Sequence, residues 1–237
     1  MKKFLVLMGL IILGCALVWA DIRIKTKTHI DAITIMGQTQ PEKNEVTEQW
    51  LAEDRYAVHG QDNSVILDLK KNMLYFLDHQ DKSYVETTLP LDLTKLFPPE
   101  MAQMMTMMKM TVTVNPTGQT KTIGSWKCSG YEVNISMMMM PMKMMVWAST
   151  DVPFDVNRFM ERFYSHILKL QLRLDDQSLA EMQKIKGYWI ASETTGEVMG
   201  AKIRGTMEVT EISQASPPPN VYSIPANYRK TDKLKIR

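Results

Sequence analysis

The side chains in this sequence that most clearly offer chemistry are methionine thioethers. Thirteen of the 21 methionines lie between residues 101 and 145, in two clusters. The first cluster contains Met101, Met104, Met105, Met107, Met108 and Met110. The second contains Met137, Met138, Met139, Met140, Met142, Met144 and Met145. Because thioether sulfur is polarizable and its side chain is adaptable, such clusters suit irregular apolar surfaces and soft metal ions.

Three roles fit these clusters. The methionines could fill the core, or they could line a groove for an apolar ligand. Their Met-x-x-Met and Met-x-Met spacings would also allow them to bind Cu(I) or Ag(I). Strand alternation across the second cluster places methionines on both faces, and one core cannot bury both. Met138, Met140, Met142 and Met144 share the first face, and Met137, Met139 and Met145 the second. We therefore predict a ligand groove lined by Met101, Met104, Met105, Met108, Met138, Met140, Met142, Met144, Trp126 and Trp147.

The four histidines and Cys128 are weaker candidates for a metal-binding or reactive site. His29, His59, His79 and His166 share no metal-ligand spacing, so a histidine site would need distant convergence. Cys128 lies in a strand pattern, where its neighbour Lys127 points to the opposite face, and this favours an inert, buried thiol. No metal site or cofactor is predicted.

Catalytic motifs are absent from the sequence. It contains no Gly-x-Ser-x-Gly elbow, His-Glu-x-x-His pair, phosphate-binding glycine loop or Cys-x-x-Cys pair. Asp175 and Asp176 are adjacent, which is typical of a solvated helix break rather than of two acids facing across a cleft. We predict a binding protein rather than an enzyme.

The N-terminus predicts export. Lys2 and Lys3 precede an apolar run, and Val18-Trp19-Ala20 has the small residues that signal peptidase reads, so residues 1–20 are a predicted signal peptide. The mature protein is then periplasmic or secreted. The apolar run is too short to span a membrane comfortably. Leu13-Gly14-Cys15 loosely resembles a lipoprotein-processing site, but the apolar residues after Cys15 favour cleavage at Ala20 over lipidation.

The net charge bears on which partners the protein can bind, and the cysteine content bears on what stabilises its fold. Removal of Lys2 and Lys3 lowers the 28 basic residues to 26, which equals the 26 acidic residues. A neutral protein lacks the basic patch that nucleic acid requires. Only Cys128 remains, so a packed core rather than a disulfide must hold one domain, predicted over residues 21–228. Residues 229–237 are predicted to be a charged, frayed tail.

Short alternating segments predict the first half of the fold. Residues 21–36 alternate, with Ile22 and Ile24 on one face and Arg23 and Lys25 on the other. Further short strands are predicted at 45–51, 55–59, 64–69, 73–77 and 83–87. Their regular spacing and polar turns indicate an antiparallel meander.

The middle of the chain mixes helix and strand signals. Prolines at 90, 98 and 99 mark a boundary, and Met101 to Met108 then follow helical spacing. Alternation resumes at Met108, with a turn predicted at residues 115–118 and a hairpin within 121–136. Strand character returns from Met137 to Thr150, where Pro141 indicates an edge or a bulge.

The last third contains the strongest helical pattern. Apolar residues recur every three or four positions within 155–184, with a break and a new N-cap expected at Asp175-Asp176. Closing strands are predicted at 187–193, 198–204 and 207–212. An apolar segment at 221–228 should contact the core again.

These features together carry a resemblance. The order of strands, the core strand Gly-Ser-Trp-Lys-Cys-Ser-Gly-Tyr-Glu-Val (124–133), the late helix and the closing Val-Tyr-Ser-Ile-Pro-Ala-Asn-Tyr (221–228) resemble the superfamily of periplasmic lipoprotein carriers, LolA and LolB. They are more similar still to methionine-rich exported bacterial families of unknown function that are thought to share that fold. The resemblance spans residues 21–228.

The resemblance implies a mainly β, α+β fold: a curved antiparallel half-barrel sheet closed by a long amphipathic helix and a short helix. In that superfamily the concave apolar face holds acyl chains. We therefore expect a non-catalytic envelope protein that carries or senses a lipid or another hydrophobic small molecule. The alternatives are soft-metal binding by the methionine clusters and an interaction module that meets another envelope protein.

Overall fold

The computed structural model describes residues 20–35, 37–92, 96–100, 110–137, 140–172 and 174–234. The predicted signal peptide up to residue 19 lies outside these residues. So do the predicted helix carrying Met101, Met104, Met105 and Met108, and two methionines of the second cluster, Met138 and Met139.

The described residues form a mainly β protein built on one large open sheet. The first eight strands are β1 (Asp21–Ile30), β2 (Ile33–Ile35), β3 (Gln38–Gln40), β4 (Lys43–Leu51), β5 (Arg55–His59), β6 (Asn63–Asp68), β7 (Met73–Asp78) and β8 (Ser83–Thr88). The others are β9 (Met110–Ile123), β10 (Trp126–Met137), β11 (Met140–Ser149), β12 (Tyr188–Val198), β13 (Ala201–Ala215) and β14 (Arg229–Lys230). Twelve of the described strands form the large sheet in the order β14-β8-β7-β6-β5-β4-β1-β13-β12-β11-β10-β9, and β2 and β3 pair separately.

The predicted meander is confirmed. Strands β4 to β8 are joined as successive antiparallel hairpins, and β1 pairs antiparallel with both β4 and β13. Ile22, Ile24 and Thr26 are buried on one face of β1, as the alternation predicts.

The second half differs from the prediction in three places, each decided by long-range pairing. Residues 115–118 do not end a strand, because β9 continues through them: Asn115 and Pro116 pair with β10, and a bulge follows between Pro116 and Thr120. The Thr117 hydroxyl donates to the Gly130 carbonyl at 2.9 Å across this bulge.

The run of methionines from 137 to 145 also spans two strands, since Met137 ends β10 and pairs with Met140 at the start of β11. The three predicted closing strands are two, β12 and β13. Met199 and Gly200, both with positive φ, form the two-residue turn between them.

Two helices cover one side of the sheet. Helix α1 runs through three consecutive segments, Val156–Phe159, a π-helical turn at Met160–Tyr164, and Ser165–Leu172. Helix α2 is Asp176–Met182, and the Asp175 carboxylate accepts from the Ser178 N–H at 2.7 Å, which confirms the predicted break and cap. The Glu181 carboxylate accepts from the backbone N–H of Val114 at 3.1 Å, which occupies a donor on edge strand β9.

The core therefore lies between the sheet and these helices. Phe159, Phe163 and Ile167 of α1 share one buried cluster with sheet residues such as Ile24 and Val209. Met182 of α2 shares a second cluster with residues of β9, β10 and β11. We call this the helix side of the sheet.

The opposite, outer side is covered by the C-terminal segment. Tyr222, Ile224 and Tyr228 pack on Ala57, Ile66 and Leu77, so the predicted contact of residues 221–228 is confirmed. The prediction of a frayed tail is wrong for residues 229–234. Arg229 and Lys230 pair in parallel with β8, and Leu234 is buried beside Leu96 and Phe97.

Candidate functional site: a cavity between the sheet and helix α1

A cavity of about 460 Å³ lies between the helix side of the sheet and α1. Its floor comes from alternate residues of neighbouring strands, which share one face because of the pleat. Pairing sets Thr28 opposite both Met207 and Glu45, and Thr26 opposite both Val209 and Thr47. The remaining lining residues are Gln49, Tyr56, Val58, Gly60, Asn63, Tyr164, Ile167, Tyr188, Trp189 and Ser192.

The roof is aromatic and belongs to α1. Tyr164 ends the π-helical turn, stacks on Phe159 with centroids 5.5 Å apart, and meets the edge of the Trp189 ring at 5.7 Å. Single π-turns inside α-helices occur often at functional sites. Tyr164, in this turn, and Ile167, in the segment after it, both line the cavity.

The polar group at the centre of the floor is the Gln49 side chain. Its Oε1 accepts from the Tyr56 hydroxyl at 2.5 Å and from the Tyr188 hydroxyl at 3.0 Å. Its Nε2 donates to the Thr26 hydroxyl at 3.2 Å. Burial raises the pKa of Tyr56 and of Tyr188 far above the ordinary tyrosine value, so both hydroxyls stay neutral and remain donors to Gln49.

One polar group in the wall has no partner. Trp189 is 8 % exposed, and its indole Nε1 is buried without a hydrogen bond among the described residues. A register shift between β11 and β12 sets Trp189 opposite Ala148 while Ala191 pairs with Trp147. The resulting bulge turns Trp189 toward the roof, where it meets Tyr164.

The lining carries little charge. Among the described residues that line the cavity, Glu45 is charged, and no lysine, arginine or histidine is present. The Glu45 carboxylate lies 3.3 Å from Lys43 Nζ and accepts from the Gln61 N–H, so it is held toward the rim. The described lining thus mixes polar, aliphatic and aromatic groups, with Glu45 as its charged member.

The predicted methionines within the described residues lie elsewhere. Met144 is 7 % exposed and packs with Val114 and Val133 in the core under α2, and Met142 packs against the same cluster. The structure brings these two together but does not place them in the cavity lining. Met140 begins β11, and the other predicted methionines lie outside the described residues.

The two predicted tryptophans lie close to Cys128. Trp126 and Trp147 are half-buried and pack against the cluster that contains Cys128. The Lys121 ammonium sits 4.2 Å from the Trp147 ring, and a Cβ on Gly130 would come within 2.9 Å of that ring. Trp147 also lines a depression of about 540 Å³ together with Lys27, Glu193 and Glu208. Thr28, Glu45, Ser192 and Met207 line both this depression and the cavity, and the depression has more charged side chains than the cavity.

The part of the chain that the structure describes contains no group of three or more histidine, cysteine or acidic side chains able to hold a metal ion. Cys128 is fully buried, and burial raises the pKa of its thiol, which confirms the predicted buried strand residue.

Sequence reasoning missed the cavity residues themselves. Gln49, Tyr56 and Tyr188 were visible only as members of three separate strands. The available signal was that Tyr188, Trp189 and Ile190 form an unbroken apolar run where alternation was expected. Such a run is typical of a bulge or of a strand end covered by another element.

The fold and site define a class: a mainly β protein whose helices cover one face of a large open sheet and enclose a cavity against it. The helices of the described part are too short or too polar to cross a membrane. No protein-family model matches the chain, and no curated protein matches it.

Proposed function

We propose that this protein is an exported, non-catalytic binding protein that holds a hydrophobic ligand between the sheet and α1. The observation that carries the proposal is the cavity of about 460 Å³. Small-molecule sites are typically concave, of 300 to 1,000 Å³, and lined by apolar and aromatic groups with few polar ones. The volume lies in this range, and the lining combines eight apolar or aromatic side chains with seven polar ones, Glu45 included.

The arrangement also supports a carrier-like fold. A sheet with its helices on one side, late in the chain, fits the half-barrel of the lipoprotein-carrier superfamily, in which helices close the open face. The order β4-β1-β13 places the first and the last long strands side by side under α1. The ligand would then lie on the helix side, above Gln49 and below Tyr164.

The test is to identify what the cavity holds. Protein purified from the compartment to which its own leader directs it would be examined by native mass spectrometry and by lipid extraction. We expect a bound hydrophobic molecule in the wild type.

A matched pair of variants localises the ligand. Val58→Trp would fill the cavity, because Val58 lines it and does not line the neighbouring depression, whereas Thr195→Trp adds the same side chain at an exposed position on β12. Val58→Trp should lose the ligand and Thr195→Trp should keep it, with unchanged circular dichroism in both. An unliganded wild type that also fails to take up added lipid would contradict the proposal.

A further inference from the structure

We propose that a second pocket, at the start of α1, binds a single-chain amphiphile with a zwitterionic head group, such as an alkyl phosphocholine. This head-group pocket has a volume of about 370 Å³. It shares no lining residue with the cavity of the proposed function, so the inference goes beyond that function and can be tested separately from it.

The floor of the head-group pocket is apolar. It is formed by side chains of β1, of the end of β4, and of α1 with the segment just before it, namely Ile22, Leu51, Phe154, Phe159 and Phe163. The Phe154 side chain is half-buried, and its ring meets the edge of the Phe159 ring at 5.6 Å between centroids. Because burying hydrocarbon against such a floor removes apolar surface from water, the floor favours an alkyl chain.

An aromatic wall separates this pocket from the cavity. Phe159 and Phe163 line the pocket, whereas Tyr56 lines the cavity. The Tyr56 ring lies 5.4 Å from the Phe159 ring and 5.9 Å from the Phe163 ring, measured between centroids. All three side chains are buried, so the packed rings divide the two spaces from each other.

The rim of the head-group pocket carries charges of both signs that a ligand can reach. The Arg158 guanidinium lies 3.1 Å from the Glu53 carboxylate, and the two side chains are 55 % and 69 % exposed. Both residues line the pocket. Asp155 lines it too, and its carboxylate accepts from the Arg158 backbone N–H at 3.0 Å. A cation and two anions therefore lie together above the apolar floor.

Such a rim favours a zwitterion over a head group of one sign. An exposed ion pair contributes little to stability, so a ligand can replace either partner at small cost. An anion bound to Arg158 would displace the Glu53 carboxylate and leave it beside a like charge, and a cation bound to Glu53 would do the same to Arg158. A head group of both signs replaces one ion pair by two, and this complementarity gives the selectivity.

The experiment compares three ten-carbon probes: decylphosphocholine, decyltrimethylammonium and decyl sulfate, each below its critical micelle concentration. Binding to the full protein is measured by isothermal titration calorimetry. We expect the zwitterion to bind about fivefold more tightly than either ion, as one additional exposed ion pair allows.

Two filling variants locate the binding site. Ala52 is half-buried and lines the head-group pocket, so Ala52→Trp should abolish binding of decylphosphocholine. Val58→Trp fills the cavity instead and should leave a decylphosphocholine site of unchanged affinity. Unchanged circular dichroism checks that both variants fold.

Two neutral variants test the rim without changing the floor. Glu53→Gln should lower the decylphosphocholine affinity about fivefold and raise that of decyl sulfate, and Arg158→Gln should lower the first equally and raise that of decyltrimethylammonium. If the ion pair had only a structural role, each variant would move all three affinities in the same direction. Arg204→Gln is the matched control, because Arg204 forms an exposed ion pair with Glu193 at 2.9 Å outside this pocket, and it should change none of them.

The outcomes separate this inference from the proposed function. If no probe binds, or if the three probes bind equally tightly, the inference is overturned, while the ligand of the cavity is still decided by native mass spectrometry. Binding that is lost in Val58→Trp and kept in Ala52→Trp would place the amphiphile in the cavity, which overturns this inference and supports the proposed function. Equal weakening of all three probes by Glu53→Gln and by Arg158→Gln would also overturn it.

Discussion

His59 and His79 reach the same hydroxyl group from different segments of the chain. The Nδ1 atom of His59 lies 2.9 Å from the Ser64 Oγ, and the Nε2 atom of His79 lies 2.8 Å from it. The other nitrogen of each ring contacts the C-terminal segment. His59 Nε2 is 2.9 Å from the Val221 carbonyl, and His79 Nδ1 is 2.7 Å from the Tyr228 hydroxyl.

The direction of these hydrogen bonds follows from elimination. A carbonyl only accepts, so His59 Nε2 donates to Val221, and the Nδ1 of a neutral His59 accepts from Ser64. The single hydroxyl proton of Ser64 is then used, so His79 Nε2 donates to Ser64 and its Nδ1 accepts from Tyr228. With His59 neutral, every donor in this hydrogen-bond chain has an acceptor.

Acid should therefore weaken the hydrogen bonds that join His59, Ser64 and His79 to the C-terminal segment. Burial lowers the pKa of His59 below 6.5, and the neighbouring His79 lowers it further, while the backbone bond to Val221 and the charge of Glu48 act in the opposite direction. Because the unfolded chain takes up the proton first, the stabilisation is complete above about pH 6.5 and is lost as the pH falls through the folded pKa.

We predict that the free energy of unfolding falls between pH 7.5 and pH 5.5 by more in the wild type than in His59→Gln. Urea denaturation at both pH values measures it. The comparison with the variant is needed because hydrogen bonds from Asn44 and Asp31 raise the pKa of exposed His29, which contributes with the opposite sign. Equal pH dependence in the two proteins would show that His59 is not responsible.

The C-terminal segment should depend on Tyr222. Its hydroxyl donates to the Asp21 carboxylate at 2.7 Å, and its ring lies 4.5 Å from the Arg55 guanidinium. Tyr222→Phe removes the hydrogen bond and keeps the ring, so we expect a loss of about 1 to 2 kcal/mol in unfolding free energy. Limited proteolysis should cut near residue 220 sooner in the variant. Tyr222→Leu, which loses both contacts, should be cut sooner still.

Met144 should behave as a core residue. It is buried with Val114 and Val133, so Met144→Ala leaves a cavity and should lower the unfolding free energy by about 2 to 4 kcal/mol. Met145 is less buried and points to the other side of β11, and Met145→Ala should lose less than about 1 kcal/mol. Guanidinium denaturation measures both. A Cu(I) titration in which the Met144 variant loses tight binding would instead favour the soft-metal interpretation of this cluster.

The cap of α2 offers a local test. The Asp175 carboxylate accepts from the Ser178 N–H, so Asp175→Ala should lower the unfolding free energy by about 1 kcal/mol. Asp175→Asn keeps a capping oxygen and should lose only a few tenths. Asp176→Ala is the control, because the cap bond belongs to its neighbour. Equal effects at 175 and 176 would assign the loss to charge rather than to capping.

Much of the fold could be predicted because its signals are local. The alternation of Ile22, Ile24 and Thr26 reports one buried face, and the spacing of Phe159, Phe163 and Ile167 reports one helix face. The bulge at residues 115–118 was misjudged because Asn, Pro and Gly mark turns and bulges alike. Only the continued pairing of β9 with β10 distinguishes the two.

The candidate site could not be predicted in the same way. Gln49, Tyr56 and Tyr188 belong to three strands, and Gln49 and Tyr188 lie 139 positions apart in sequence. The Trp189 orientation depends on a register shift between β11 and β12, and the apolar run at residues 188–190 indicates a bulge without giving its pairing partner.

The sequence by itself determined the alternating strands and the amphipathic helix with its cap at Asp175, because each follows from the spacing of neighbouring side chains. Only the tertiary structure decided which strands are neighbours, where the bulges fall, and that Gln49, Trp189 and Tyr164 surround one cavity. The physical reason is that side chains in a sheet meet through register between distant segments. A shift of one residue there moves every later side chain to the opposite face.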